Sequence, residues 1–182
     1  VKPTARETAT AAASSRRTVA VRTSDPTGTR DLGRRLATTL RAGDVVLLHG
    51  DLGSGKTTLT QGIASGLGVG SPVQSPTFVL AHEHAARASD GSPLVLHHLD
   101  LYRLADDDDA AAFGYEGYLA PADGVTVVEW PERASCLLPE VYVLVELTLG
   151  AGNDRLLAIS VVGDEHDAKR LLAPFVTPPT PL

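Results

Sequence analysis

Gly50-Asp51-Leu52-Gly53-Ser54-Gly55-Lys56-Thr57 is the stretch on which the reading of the fold turns. A glycine, four free positions and then Gly-Lys-Thr form a loop that wraps a phosphate chain, provided a strand precedes it and a helix follows. Both neighbours fit. Asp44 to His49 holds Val45-Val46-Leu47-Leu48, a continuous apolar run of the kind buried on both faces of a parallel sheet. Lys56 to Leu67 reads as a helix that ends near Gly66 and Gly68. The glycines let backbone N–H groups converge on a β-phosphate, and the helix N-terminus adds partial positive charge. Lys56 then reaches the β- and γ-oxygens, while Thr57 offers its hydroxyl to Mg²⁺. Thr58 is placed to help hold the α-phosphate, although it also reads as an ordinary early helix residue.

Mg²⁺ is octahedral and takes oxygen ligands, so a triphosphate site needs acidic groups beyond the loop. Two strand ends supply them. Asp100 follows Pro93 to Leu99, and Glu129 follows Gly124 to Val128. Parallel strands deliver such residues to the carboxyl edge of the sheet, where ligands bind in open α/β folds. Ser75-Pro76-Thr77 lies in the loop after the helix and is placed to close over a γ-phosphate. Thr77 is thus a candidate for a switch-like contact to Mg²⁺ or to an attacking water, or part of a Ser-Pro turn leading into a strand. Trp130, beside Glu129 and before Pro131, fits packing against the triphosphate loop, a partner anchor or ordinary core. Arg103 suits a surface ion pair as well as a catalytic role. His82, His84, His97 and His98 have no spacing of a catalytic zinc motif. Cys136 reads as a small buried side chain.

With 182 residues and 43% hydrophobic content, the chain suits one compact domain. Its net charge of −6 gives no field that would draw it onto a phosphate backbone or an anionic membrane. A local phosphate site needs only a few well-placed groups. One cysteine excludes an intrachain disulfide, and no apolar run approaches the roughly eighteen residues of a membrane span.

The expected organisation is a disordered tail over residues 1–17, one P-loop ATPase domain over 18–173 and a Pro-rich tail over 174–182. Within the domain, Thr18 to Thr23 alternates as a strand, and Arg30 to Leu40 is an amphipathic helix stopped by Ala42-Gly43. Thr77 to His82 and Pro93 to Leu99 read as strands separated by a loop over Ala85 to Ser92. The block Asp106 to Asp109 reads as the N-terminal end of a short helix, where carboxylates face the positive end of the dipole. Val141 to Leu149 and Leu156 to Val162, joined by Gly150 to Asp154, form a hairpin, and His166 to Leu172 a last helix. The fold class is α/β: a three-layer P-loop NTPase sandwich, its sheet mostly parallel with antiparallel additions and the C-terminal hairpin.

Four motifs in this order resemble the bacterial TsaE (YjeE) family, the ATPase component of the tRNA threonylcarbamoyladenosine machinery. They are G-D-L-G-S-G-K-T-T at Gly50 to Thr58, S-P-T-F at Ser75 to Phe78, H-L-D-L-Y-R-L at His98 to Leu104, and V-E-W-P at Val128 to Pro131. The resemblance spans roughly Val19 to Leu172; its departures are Phe78, where tyrosine is frequent, and Ser54, at a variable loop position. It implies ATP and Mg²⁺, with Lys56 and Thr57 on phosphates and metal, Glu129 on Mg²⁺ and Asp100 required for hydrolysis. Thr77 would belong to the switch-like loop, and Trp130 would sit by the site. It also implies a cytoplasmic protein, weakly active alone, that acts with TsaD and TsaB and meets tRNA through that complex rather than through a basic surface. Transfer to adenosine 37 of ANN-decoding tRNAs would be the work of TsaD.

Rival functions fit less well. A guanine-specific GTPase would carry N-K-x-D on a late strand, and Asn153-Asp154 lacks that spacing. A small-molecule kinase would use Asp100 as base under an arginine-bearing lid, yet acid follows Asp106. A docking module that binds nucleotide without obligatory turnover shades into the main reading.

Overall fold

The structure, a computed structural model, describes residues 15–176. Of the expected tails, 1–14 and 177–182 lie outside the described residues, while residues 15–17 belong to the first strand and 174–176 to the last helix. Strand β1 (Ser15–Thr23) is followed by helix α1 (Pro26–Ala37), β2 (Val45–His49) and α2 (Lys56–Gly66). Next come β3 (Ala81–Arg87), β4 (Pro93–Asp100), α3 (Asp107–Phe113) and β5 (Gly124–Glu129). The chain closes with β6 (Tyr142–Leu149), β7 (Arg155–Gly163) and α4 (Glu165–Val176). The sheet has seven strands in the order β1-β7-β6-β2-β5-β4-β3. At its centre β6, β2, β5 and β4 pair in parallel, while β7 joins β6, β1 joins β7 and β3 joins β4 antiparallel. This is the expected α/β sheet, with the C-terminal hairpin as β6 and β7.

Burial on both faces explains the unbroken apolar run of β2. Val46 and Leu48 pack with Leu36 of α1, Ile63 of α2 and Leu171 of α4. Val45 and Leu47 face the other way, onto Ala110 of α3, Tyr115 and Ala134. Three layers result. Among the described residues no helix is long and apolar enough to cross a membrane.

Several boundaries differ from the sequence expectation. α1 starts at Pro26, not Arg30, because Asp25 caps it by accepting the Gly28 N–H at 2.7 Å. It ends at Ala37, where the Thr38 and Thr39 hydroxyls turn back onto the Arg35 and Leu36 carbonyls. Thr77 to Leu80 is a turn rather than the start of a strand: the Val79 and Leu80 N–H groups both donate to the Pro76 carbonyl, at 2.9 and 2.7 Å. β3 instead runs on to Arg87, and the connecting turn shrinks to Ala88 through Ser92. The last helix extends through Pro174 to Val176, its end held by Arg35, which donates to the Pro174 carbonyl and stacks 5.1 Å from the Phe175 ring. Cys136 is exposed, not buried.

Helices α1 and α2 approach closely through small residues. A Cβ at Gly62 would lie 2.2 Å from the Arg30 carbonyl oxygen, and one at Gly33 would lie 2.5 Å from that of Leu59. Gly62→Ala is therefore expected to destabilise the fold by about 3 kcal/mol, because backbone must move to admit one methyl group. Urea unfolding checks this, and an unchanged midpoint would contradict the close approach.

Candidate nucleotide-binding site

β2 ends at His49 and α2 begins at Lys56, so the glycine loop bridges a buried strand and a helix N-terminus. Gly50 is required at the exit: it has φ +151°, and a Cβ there would lie 2.5 Å from the Leu147 carbonyl oxygen. At the other end Gly55 caps α2 in the left-handed region with no side-chain cap. The N–H groups of the first helical turn therefore face the loop without intrahelical acceptors.

A cavity of about 350 Å³ opens at this point. Leu52, Gly53, Gly55, Lys56, Thr57 and Thr58 line it from the loop and α2, and Thr77, Asp100, Glu129 and Trp130 line it from the opposite side. Gly50, Asp51 and Ser54 do not line it. The first two act through their carbonyls, which accept from Lys56 Nζ at 2.6 and 3.0 Å, and Ser54 is buried beneath the loop.

Lys56 is drawn back onto the loop, its Nζ 3.8 Å from the centre of the Trp130 ring. Burial pulls its ammonium below the ordinary lysine range, while Glu129, Glu132, Asp100 and Asp51 pull the other way. Trp130 adopts a left-handed backbone, φ 63°, that turns its indole back over the site and against Tyr102, ring centres 5.0 Å apart. Of the sequence alternatives for Trp130, two coexist: it touches Lys56 of the phosphate loop and packs against the core cluster around Leu99 and Leu101.

The two carboxylates stand opposite each other on paired strands, Asp100 against Glu129. Both are buried, at 3% and 2% exposure, and each is held by donors. Thr57 Oγ1 donates to Glu129 Oε2 at 3.0 Å, and His98 Nε2 lies 2.9 Å from Glu129 Oε1. Asp100 Oδ2 accepts from the hydroxyls of Thr77, at 2.6 Å, and Ser75, while Oδ1 accepts the Tyr102 N–H at 3.0 Å. Thr77 and Asp100, which the sequence put forward separately, are thus joined.

Thr57 and Glu129 present hard oxygen donors within contact of each other, which fits Mg²⁺. Among the described residues no group of three or more His, Cys, Asp or Glu could hold a metal. Arg103 does not line the cavity; it stacks 4.2 Å from the ring of Phe78, itself 83% exposed.

Sequence reasoning missed two groups. Arg155, at the start of β7, donates from Nε to the Ser54 carbonyl at 2.9 Å and from Nη2 to that of Gly53 at 3.3 Å. It holds the outer side of the phosphate loop from the distant hairpin, and no local pattern announces such a contact. His98, set aside for lack of a zinc spacing, is wholly buried against Glu129. Its signal was present: it lies two residues before Asp100, hence on the same strand face.

Known proteins are similar to this chain in sequence and in fold. The family model described as threonylcarbamoyl adenosine biosynthesis protein TsaE matches residues 23–157. A Streptomyces coelicolor protein named tRNA threonylcarbamoyladenosine biosynthesis protein TsaE is 44% identical over 136 residues, 74% of this chain and 89% of that protein. A Bacillus subtilis protein of the same name is 34% identical over 146 residues, 80% of this chain and 87% of its own. The crystal structure of Bacillus subtilis YdiB superposes with a TM-score of 0.70 at 30% identity, covering 87% of this chain and 97% of that one. A phosphate loop between strand and helix, two carboxylates on adjoining strand ends and a family match across all of them lead to one conclusion: the chain belongs to the TsaE family.

Proposed function

We propose that this chain is the Mg²⁺-dependent ATP-binding and ATP-hydrolysing subunit that supports tRNA threonylcarbamoyladenosine formation at adenosine 37, acting in the cytoplasm with TsaD and TsaB. The observation that carries the reading is the convergence of Lys56, Thr57, Asp100 and Glu129 on one cavity at the N-terminus of α2. The names of the relatives support the pathway.

In this reading the N–H groups of the loop and first helical turn bind the phosphates, and Lys56 leaves the Gly50 and Asp51 carbonyls for the β- and γ-oxygens. Thr57 and Glu129 would hold Mg²⁺, and the ion, when bound, would supply neutralisation of charge on the phosphate oxygens. Asp100 orients the attacking water, whose oxygen bonds to the γ-phosphorus as the bond to the ADP oxygen breaks and a water proton leaves to solvent. The Ser75-Pro76-Thr77 segment, already tied to Asp100, closes over the γ-phosphate and limits water access. Transfer of the threonylcarbamoyl group belongs to TsaD.

Hydrogen exchange tests the closing segment. Amides from Gln74 to Leu80 should be protected more by a nonhydrolysable ATP analogue with Mg²⁺ than by ADP, because only the former has a γ-phosphate to sense. Equal protection in the two states would argue against it. Competition between ATP and GTP in the same assay distinguishes an adenine from a guanine nucleotide site.

A further inference from the structure

We infer that His98 is a positioning residue that sets the carboxylate of Glu129 for Mg²⁺, through the bond between its Nε2 and Glu129 Oε1. The role rests on the reading of the cavity as a Mg²⁺–triphosphate site.

The placement follows from the sheet. On β4 the alternating residues Leu94, Leu96, His98 and Asp100 share one face, and Leu94 and Leu96 pack into the core under α1 and α2. On β5, Val125 and Val127 pack into that same core and Glu129 continues their face. His98 is opposite Val127 in the parallel register, so its ring reaches Glu129 one alternate position further along the neighbouring strand.

His98 is fully buried, and its Nδ1 has no hydrogen-bond partner among the described residues. A position serving only the core would favour an aliphatic side chain like its neighbours Leu94 and Leu96, since a buried ring nitrogen without a partner is unfavourable. Among the described residues the one side-chain bond His98 makes is to Glu129. With Nε2–H as donor, Nδ1 is the acceptor nitrogen, and the tautomer is set by the carboxylate.

Glu129 is held from two sides. Oε1 faces His98, and Oε2 faces Thr57, the residue that would share the metal. Thr57 alone fixes one oxygen and leaves the carboxylate free to rotate about its last bond. His98 removes that freedom and directs the Oε2 edge towards the cavity. Groups that hold a metal-binding carboxylate in this way change metal affinity by about 10- to 100-fold when removed.

Two variants of opposite character test the role. His98→Phe keeps a ring in the core and removes the donor. His98→Gln removes the ring and keeps an N–H that can reach Oε1. ATP affinity is measured by calorimetry with and without Mg²⁺, beside a thermal unfolding curve. In His98→Phe the gain in affinity on adding Mg²⁺ should fall about 10-fold while Mg²⁺-free affinity stays near that of the parent; in His98→Gln most of the gain should return. Either variant decides the matter if the other does not fold. An undiminished Mg²⁺ gain in His98→Phe, or a tenfold loss in a stably folded His98→Gln, would overturn the inference. Equal losses with and without Mg²⁺ would also overturn it, because they would mark a purely structural role. A parent protein whose ATP affinity does not respond to Mg²⁺ would instead bring down the reading of the cavity itself.

Discussion

Lys56→Ala is expected to weaken ATP binding by on the order of 100-fold or more and to leave the fold intact. Truncating a cation that meets a buried anionic ligand costs a few kcal/mol, and each 1.4 kcal/mol is tenfold in affinity. The fold should survive because, among the described residues, the Lys56 ammonium bonds only two loop carbonyls and the face of Trp130. Both carbonyls belong to residues that are not buried, Gly50 and Asp51, so water can replace the lost donor. Calorimetry should show the lost affinity beside an unchanged circular dichroism spectrum. Parent-like affinity would reject the role of Lys56 and with it the phosphate cradle.

The second large effect separates the two carboxylates. Asp100→Asn should retain nucleotide binding yet reduce turnover by about 100-fold or more, the scale of loss when an attacking group is no longer held in line. The loss has a structural component as well. Asp100 accepts from the Ser75 and Thr77 hydroxyls on one oxygen and from the Tyr102 N–H on the other. An amide accepts on one side only, so with its oxygen on the Tyr102 N–H its NH2 must donate to the Ser75 and Thr77 hydroxyls, which reverses those bonds and replaces charge-assisted contacts with weaker neutral ones. Glu129→Gln should act differently, weakening Mg²⁺-dependent affinity as well as turnover, since Glu129 shares its Oε2 with Thr57. The comparison is made with the proposed partners TsaD and TsaB present, so that an incomplete site in the isolated chain does not hide a catalytic loss. Equal metal-binding defects in the two variants would undo the division.

Those residues were legible because their signals are local. The glycine loop announces itself by spacing, and Val45 to Leu48 announces a strand buried on both faces by having no polar interruption. Asp100 and Glu129 stand out as carboxylates that end apolar runs, and the structure sets them side by side. β3 was harder to read. His82, Glu83 and His84 lie on an edge strand whose exposed side carries no apolar signal, and the strand is preceded by a turn that needs Leu80 in the left-handed region, φ 67°. The end of α4 was hidden for another reason: Pro174 reads as a terminator, but Arg35 from α1 holds the last turn. Arg155 and His98 were missed because their meaning lies in long-range partners. The first grips a loop 101 residues away in sequence, and the second a carboxylate 31 residues away.

The most direct test of the central claim is tRNA threonylcarbamoyladenosine formation followed over many turnovers by a matching TsaD–TsaB pair, with this chain present, absent or carrying Lys56→Ala. Phosphate release is recorded in the same reactions. The parent chain should sustain repeated turnover and ATP hydrolysis, while its omission or the Lys56→Ala variant should leave both at the level of TsaD–TsaB alone. A folded parent chain that alters neither modification nor phosphate release would contradict the account.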